Sequence, residues 1–362
     1  MGETSETSET SETIEIGGRR VGLHEPTYVI AELSANHGQR LERALDLVHA
    51  AKQAGADAVK LQTYTPDTIT IRSDLPQFVH EAGSPWSGKT LYDLYAEAYM
   101  PWEWQPQLKT LAESLGMQCF SSPFDPTAVD FLESIGVPAF KVASFELVDI
   151  PLVERMARTG KPLILSTGMA TMGEIEEAVS AARRAGCKQI ALLKCTSAYP
   201  APVDEMHLRT LPHLAQAFGA VVGLSDHTLG ITVPIVAVAL GASIIEKHMT
   251  LRRADGGPDA EFSLEPQEMA EMICAVRVAE RALGRVHYGL SPKEAQSRKF
   301  RRSLYAVEDI GAGEELTECN VRSIRPAAGL APRFWPDVQG RQARVDIVRG
   351  TPLAWEHMGP RR

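Results

Sequence analysis

Eight short apolar runs rich in β-branched residues, "TYVIAEL", "DAVKLQT", "MQCFSS", "AFKVAS", "PLILST", "QIALLKC", "AVVGLS" and "ASIIEKHM", recur from residue 27 to about residue 285. Longer stretches of helical period separate them. At 40–54 the residues Leu41, Ala44, Leu45, Val48 and Ala51 share one face, and at 173–186 Ile175, Ala178, Val179 and Ala182 do. Gly160, Gly186 and Gly241 stand where a helix would end just before the next strand. Strands that alternate with helices pair in parallel, because each crossover helix returns the chain to the same edge. Eight such units over this length predict a (β/α)8 barrel. The alternative is an open doubly wound sheet, but no G-x-G-x-x-G follows the first run.

In a barrel the chemistry sits where the strands end. The predicted strand ends carry Glu32, Lys60 and Gln62, Ser121 and Ser122, Lys141 and Ser144, Ser166, Lys194, Ser225 with His227, and Glu246 with His248. A single strand-end lysine is ordinary, its stem lying along apolar surface with the ammonium in water. Lysines at three strand ends, each among hydroxyls, point instead to an anionic ligand in the barrel mouth. His227 and His248 end neighbouring strands, so one divalent ion could reach both imidazoles. Glu246 lies two residues before His248 and shares its strand face, and Glu32 ends the strand that closes against the eighth. A hydrogen-bonded acid–base pair, or two structural histidines, would also be compatible with the spacing.

The flanking segments differ from this pattern. Residues 1–22 open on a "SET" repeat with no apolar residue between Met1 and Ile14, so the segment cannot offset the entropy of ordering and is expected to be a disordered tail. Its Glu3, Glu6, Glu9 and Glu12 supply four of the nine net negative charges, leaving a mildly acidic body unsuited to duplex nucleic acid or anionic membrane. Residues 64–104 are a long insertion with Trp86, Tyr92, Tyr95, Tyr99, Trp102 and Trp104, to be read either as an active-site lid or as a helical hairpin packed on the barrel wall. From residue 286 short alternating pieces broken by Gly and Pro turns predict a small β-rich domain at 299–362, after a linker at 286–298 and a barrel domain at 23–285. Five widely spaced cysteines form no disulfide or zinc pattern, and no apolar run approaches the ~18 residues of a membrane helix. A reducing, cytoplasmic setting is expected.

The segments "IAELSANH", "KLQTYTPD", "FSSPFD", "KVASFE", "STGMA", "LLKCTSAYPAP", "GLSDHTLG", "IEKHMTL" and "GGPDAEFSLEP" follow one another in the order and spacing of the sialic acid synthase family, which the chain resembles from about residue 25 to residue 358. The tail is similar to that family's C-terminal antifreeze-like, or SAF, domain of β-clip type. Within the family, "ELSANH", "SFE" and "LYDLY…PWEW" resemble the pseudaminic acid synthase branch.

The resemblance implies condensation of phosphoenolpyruvate with the open form of an amino sugar, 2,4-diacetamido-2,4,6-trideoxy-L-altropyranose for this branch, to give a nonulosonic acid and phosphate. Carried over by motif, His227 and His248 would hold Mn or Mg, and Glu32 and Glu246 would act with them in catalysis. Lys60, Ser122, Lys141, Ser144, Ser166, Ser197 and Ser225 would bind phosphoenolpyruvate, and Gln62, Tyr199, Asp259 and Arg325 the sugar. Arg325 would act in the other subunit of a domain-swapped homodimer. Two positions depart from the wider family: its Asn-His-Asn-Gly reads Asn36-His37-Gly38-Gln39 here, and Ser197 stands where sialate synthases have Asn. A sialate or legionaminate synthase remains the nearest enzymatic alternative, and a catalytically silent sugar-binding protein the alternative of another class.

Overall fold

A computed structural model of the chain describes residues 13–80 and 86–361. It divides into two compact units, Met1–Gly284 and Arg285–Arg362. The first contains eight parallel strands: β1 (Tyr28–Glu32), β2 (Ala58–Thr63), β3 (Gln118–Pro123), β4 (Phe140–Val142), β5 (Leu163–Ser166), β6 (Ile190–Cys195), β7 (Val221–Asp226) and β8 (Ile244–His248). Each bonds to the next, and β8 closes on β1 through the register His248↔Glu32. The barrel expected from the alternation is therefore the one observed.

Helices cover the outside of the barrel and side chains fill its inside, so the strands are buried on both faces and read as nearly continuous apolar runs. The helix Leu41–Ala54 turns Ala44, Leu47, Val48, Ala51 and Ala54 inward, a face rotated slightly toward Leu47 from the one its periodicity suggests. The helix Met172–Arg184 starts with a capping box in which Thr171 accepts from the amide of Glu174, and it buries Ile175, Ala178, Val179 and Ala182 as expected.

The tail assigned to residues 1–22 must be shortened. Thr13–Ile16 and Arg19–Gly22 form an antiparallel hairpin whose Ile14, Ile16 and Val21 join the barrel's core cluster. Gly17 and Gly18 both adopt positive φ, the backbone that a tight two-residue hairpin turn requires. The alternation Ile14-Glu15-Ile16 supplies one buried face, which outweighs the polar repeat before it. The repeat in residues 1–12 lies outside the described residues.

The insertion at 64–104 is fastened to the barrel wall and also lines a cavity. Trp102 packs on Phe131 at 5.0 Å between ring centroids and donates to the Tyr64 carbonyl at 3.1 Å, fastening the segment to the barrel wall. Tyr64, Leu94 and Tyr95 meanwhile face a cavity over the strand ends.

The C-terminal unit pairs Ser303–Ala306 with Val321–Ile324 and Arg341–Ala343 with Met358–Arg361 around Leu304, Leu316, Val321, Val338 and Leu353. The stretch "RVDIVRG" is not a continuous strand. Only Ile347 bridges, to Ile310, because Asp346 turns aside to accept from the Ala312 amide at 2.7 Å. Among the described residues no helix is long and apolar enough to cross a membrane, and the five cysteines are free.

Candidate active site

The strand ends gather most of the sequence-predicted residues into three linked groups. In the first, β1, β2 and β8 bring Lys60 between two glutamates: its Nζ lies 2.5 Å from Glu32 Oε2 and 3.6 Å from Glu246 Oε1. Lys60 also donates to Ser122 Oγ at 3.3 Å, Ser225 Oγ donates to Glu246 at 3.3 Å, and Gln62 donates to Glu32 at 3.1 Å. Two buried carboxylates sharing one ammonium cannot both be fully neutralised, and their proton affinities separate. Burial, together with the charge of Glu246, pushes the Glu32 carboxyl up despite Lys60. Burial also opposes charge on Glu246, but Lys141, Lys60 and His227 outweigh it and hold that carboxyl down. One glutamate is thus disposed to carry a proton and the other to stay ionised.

The second group is an anion cradle at the ends of β4, β5 and β6. Lys141, only 1% exposed, donates to Ser166 Oγ at 2.6 Å and to its neighbour's carbonyl. Among the described residues no carboxylate forms a salt bridge with Lys141 or Lys194, and burial lowers the proton affinity of each. Ser144 Oγ accepts from the Gly168 amide at 3.2 Å. A Cβ at residue 168 would sit 2.2 Å from Ser197 Oγ and 2.6 Å from Ser144 Oγ, so only glycine lets both hydroxyls converge there. Buried ammonium groups amid hydroxyl donors, without a protein counter-ion, suit a phosphate or carboxylate ligand.

The third group is aromatic. His227 and His248 lie 5.2 Å apart between ring centroids, with Tyr199 at 4.5 Å from His227 and Phe262 at 5.0 Å from His248. His227 Nδ1 faces the Thr196 carbonyl at 3.1 Å and Cys195 Sγ at 3.7 Å, so a proton on Nδ1 leaves Nε2 with its lone pair free. Burial, then the charges of His227 and Lys60, keep His248 neutral far below the usual imidazole range. Its Nδ1 is buried without a hydrogen-bond partner, and the nearest carboxylate oxygen, of Asp259, lies 4.0 Å away. Burial works against charge on His227, but the bond to Cys195 outweighs it and raises that imidazole's proton affinity, so a divalent ion held by His227 and the neutral His248 with its orphaned nitrogen would displace a proton from His227. Among the described residues no group of three or more His, Cys, Asp or Glu is arranged to hold one, so the remaining donors would come from water or substrate.

A cavity of about 470 Å³ opens beside these groups. Ser34, Gln62, Glu146, Tyr199, His248 and Asp259 give it polar points, and Tyr64, Trp86, Leu94, Tyr95, Phe124 and Phe145 give it apolar wall. Asp259 is tied in place by Ser34 Oγ, and the Trp86 indole donates to the Pro258 carbonyl at 3.1 Å. Arg325 belongs to the C-terminal unit, just past the strand Val321–Ile324, and is not part of these groups.

A profile of the NeuB family matches residues 47–288. The chain belongs to the NeuB family. A SAF domain follows at 301–358. The chain is 44% identical over 331 residues to a pseudaminic acid synthase of Helicobacter pylori, covering 91% of this chain and 97% of that protein. It is 35% identical to an N,N'-diacetyllegionaminic acid synthase of Legionella pneumophila, over 91% of this chain and 94% of that one. A crystal structure of an N-acetylneuraminic acid synthetase from Leptospira borgpetersenii, in complex with citrate, superposes with a TM-score of 0.70 at 32% identity, covering 79% of this chain and 94% of that chain.

Two residues of this NeuB-family site were not singled out from the sequence. Glu146 lines the cavity with Oε2 buried and without a hydrogen-bond partner, and burial raises its carboxyl to about 7. Its place two residues after Ser144 in "SFE" was the available signal. Cys195 sits beneath His227: burial works against its ionisation, but the hydrogen bond and charge of His227 outweigh this and bring the thiol down to about 7. Nothing in the cysteine spacing announces that contact.

Proposed function

We propose that this NeuB-family chain condenses phosphoenolpyruvate with 2,4-diacetamido-2,4,6-trideoxy-L-altropyranose, giving pseudaminic acid and phosphate by C–O cleavage. The observation that carries this reading is the 44% identity to a pseudaminic acid synthase over nearly the whole of both chains, against 35% to a diacetyllegionaminic acid synthase. The apolar wall of the cavity suits a 6-deoxy sugar bearing two acetamido groups, the altrose sugar and its legionaminate counterpart alike, over N-acetylmannosamine.

Each group then has a task. Lys141, Lys60, Ser122, Ser144, Ser166, Ser197 and Ser225 bind the phosphate and carboxylate of phosphoenolpyruvate, matching fixed positive charge and hydroxyl donors to a trianion without a base to hydrolyse it. His227 and His248 hold Mn or Mg, which when bound polarises the sugar aldehyde as a Lewis acid. Gln62, Tyr199 and Asp259 orient the sugar in the cavity. As C3 of phosphoenolpyruvate bonds to the aldehyde carbon, Glu32 delivers its proton to the aldehyde oxygen and Glu246 faces the positive charge growing at C2. Glu246 then takes the proton from the water that adds at C2, and the tetrahedral intermediate expels phosphate. We place the enzyme in the cytoplasm, where its five free thiols stay reduced. We assign it a domain-swapped homodimer in which Arg325 caps the sugar site of the other protomer.

The test is phosphate release from phosphoenolpyruvate with Mn²⁺, offering separately the diacetamido altrose sugar, its legionaminate counterpart and N-acetylmannosamine, with mass spectrometry of the product. Turnover of the first alone supports the reading. Preference for another reassigns the sugar, and turnover with none points to a silent sugar-binding protein.

A further inference from the structure

The two histidines end neighbouring strands, and the residue before each is charged: Asp226 precedes His227 and Lys247 precedes His248. Because side chains alternate across a strand, this second pair points away from the barrel mouth into the layer between strands and helices. There Lys247 Nζ lies 2.5 Å from Asp226 Oδ2, and both side chains are 0% exposed. Thr228 completes the cluster. Its amide donates to Asp226 Oδ1 at 3.0 Å, its hydroxyl donates to Oδ2 at 3.1 Å, and its carbonyl accepts from Lys247.

A wholly buried ion pair is a poor means of stabilising a fold, because desolvating two charges consumes most of their attraction, and well-packed apolar residues of the same volume do as well or better. What it supplies is geometry. Lys247 pairs with Asp226 in the ladder, and this is the last pairing between β7 and β8. The His227 carbonyl then accepts from the Ala201 amide, so the chain leaves the sheet at the residue that must be held.

We propose that Asp226, Lys247 and Thr228 form a positioning clamp on the outer face of β7 and β8 that sets the 5.2 Å separation of the His227 and His248 rings. The clamp touches neither substrate nor metal and acts through the backbone of the two histidines. This inference rests on the reading of those histidines as the divalent-ion site.

The experiment compares Mn²⁺ binding by the full chain, without substrates, by titration calorimetry and by the loss of the free-ion paramagnetic resonance signal. The key variant is the double substitution Asp226→Leu with Lys247→Met, which keeps an apolar, filled layer. Thr228→Val, which removes one hydroxyl bond and leaves the ion pair, is the milder companion. The double variant, which leaves the buried Thr228 amide and carbonyl without these partners, should melt somewhat below the wild-type temperature and bind Mn²⁺ about 10- to 100-fold more weakly, as loss of groups that orient ligands does. Thr228→Val should weaken binding about threefold, on the scale of a single hydrogen bond. Phosphoenolpyruvate affinity should fall less than Mn²⁺ affinity, because Lys141 on β4 and Ser166 on β5 lie outside the clamp and only Ser225 adjoins it. Unchanged Mn²⁺ affinity in a folded double variant, or in Thr228→Val should the double variant not fold, overturns the clamp. A wild-type chain that binds no Mn²⁺ overturns the metal reading, and the clamp with it.

Discussion

Two ionic groups occupy opposite faces of the same barrel wall. On the inner face Lys60 is shared by Glu32 and Glu246, while Lys141 has no salt-bridging carboxylate among the described residues. On the outer face Lys247 has one carboxylate and Asp226 one ammonium, with the remaining donors and acceptors supplied by Thr228. Burial alone therefore does not distinguish a reactive charge from a structural one. The distinction lies in whether the surrounding groups complete its hydrogen bonds or leave capacity for a ligand.

The sharpest way to break this contrast is to neutralise one lysine on each face. Lys141→Met should lower kcat/KM for phosphoenolpyruvate on the order of a thousand-fold with little change in the melting temperature, because it removes a buried ammonium that has no salt-bridging carboxylate among the described residues. Lys247→Met alone should destabilise by about 3–5 kcal/mol, since it strands a buried carboxylate. Circular-dichroism melts beside steady-state kinetics measure both, and equal behaviour of the two variants would erase the distinction.

His248→Ala should abolish metal-dependent turnover, a fall on the order of 10³-fold in kcat, with the circular-dichroism spectrum intact. Activity that persists in a chelator-treated mutant would remove the metal assignment. Smaller in effect, Arg325→Ala should raise KM for the sugar about tenfold, the scale of one charged hydrogen bond, with little change for phosphoenolpyruvate. An equal effect on both substrates would end its assignment as a cap on the sugar.

The smallest effect concerns Glu146, which keeps its proton up to about pH 7 in the fold but titrates near its ordinary value, 4.5, in the unfolded chain. The folded state therefore binds more protons between those values, so the contribution of this group is fully present at acid pH and is lost as pH rises through 7. Glu146→Gln should raise the melting temperature by about 2–4 °C at pH 8, on the scale of 1 kcal/mol, and by less at pH 5.5. A shift independent of pH would remove the titration from the account.

The barrel was legible because each strand is a β-branched run and each helix keeps its period, so hydrophobic patterning alone counted the units. The clustering of polar strand ends was legible because Lys60, Lys141, His227 and His248 interrupt apolar strands where solvent exposure cannot explain them. The outer cluster was not, since a charged residue between Glu246 and His248 reads equally well as a solvated position. Its partner, Asp226, comes from a strand 21 residues away in sequence. The hairpin at 13–22 was obscured by the polar repeat preceding it, and Glu146 by a loop whose depth no period reports.

The anion cradle and the cavity beside it also differ in how they are built. The anion cradle rises from β4, β5 and β6, where the strand register holds Ser166, and Gly168, admitting no Cβ, lets Ser144 and Ser197 converge just past the strand ends. Tyr64, Leu94 and Tyr95 on the facing wall come from a segment beyond the strand ladder. Descendants of such a chain can therefore diversify the electrophile they accept by rewriting one connecting segment, while the enolpyruvyl donor stays inherited with the barrel.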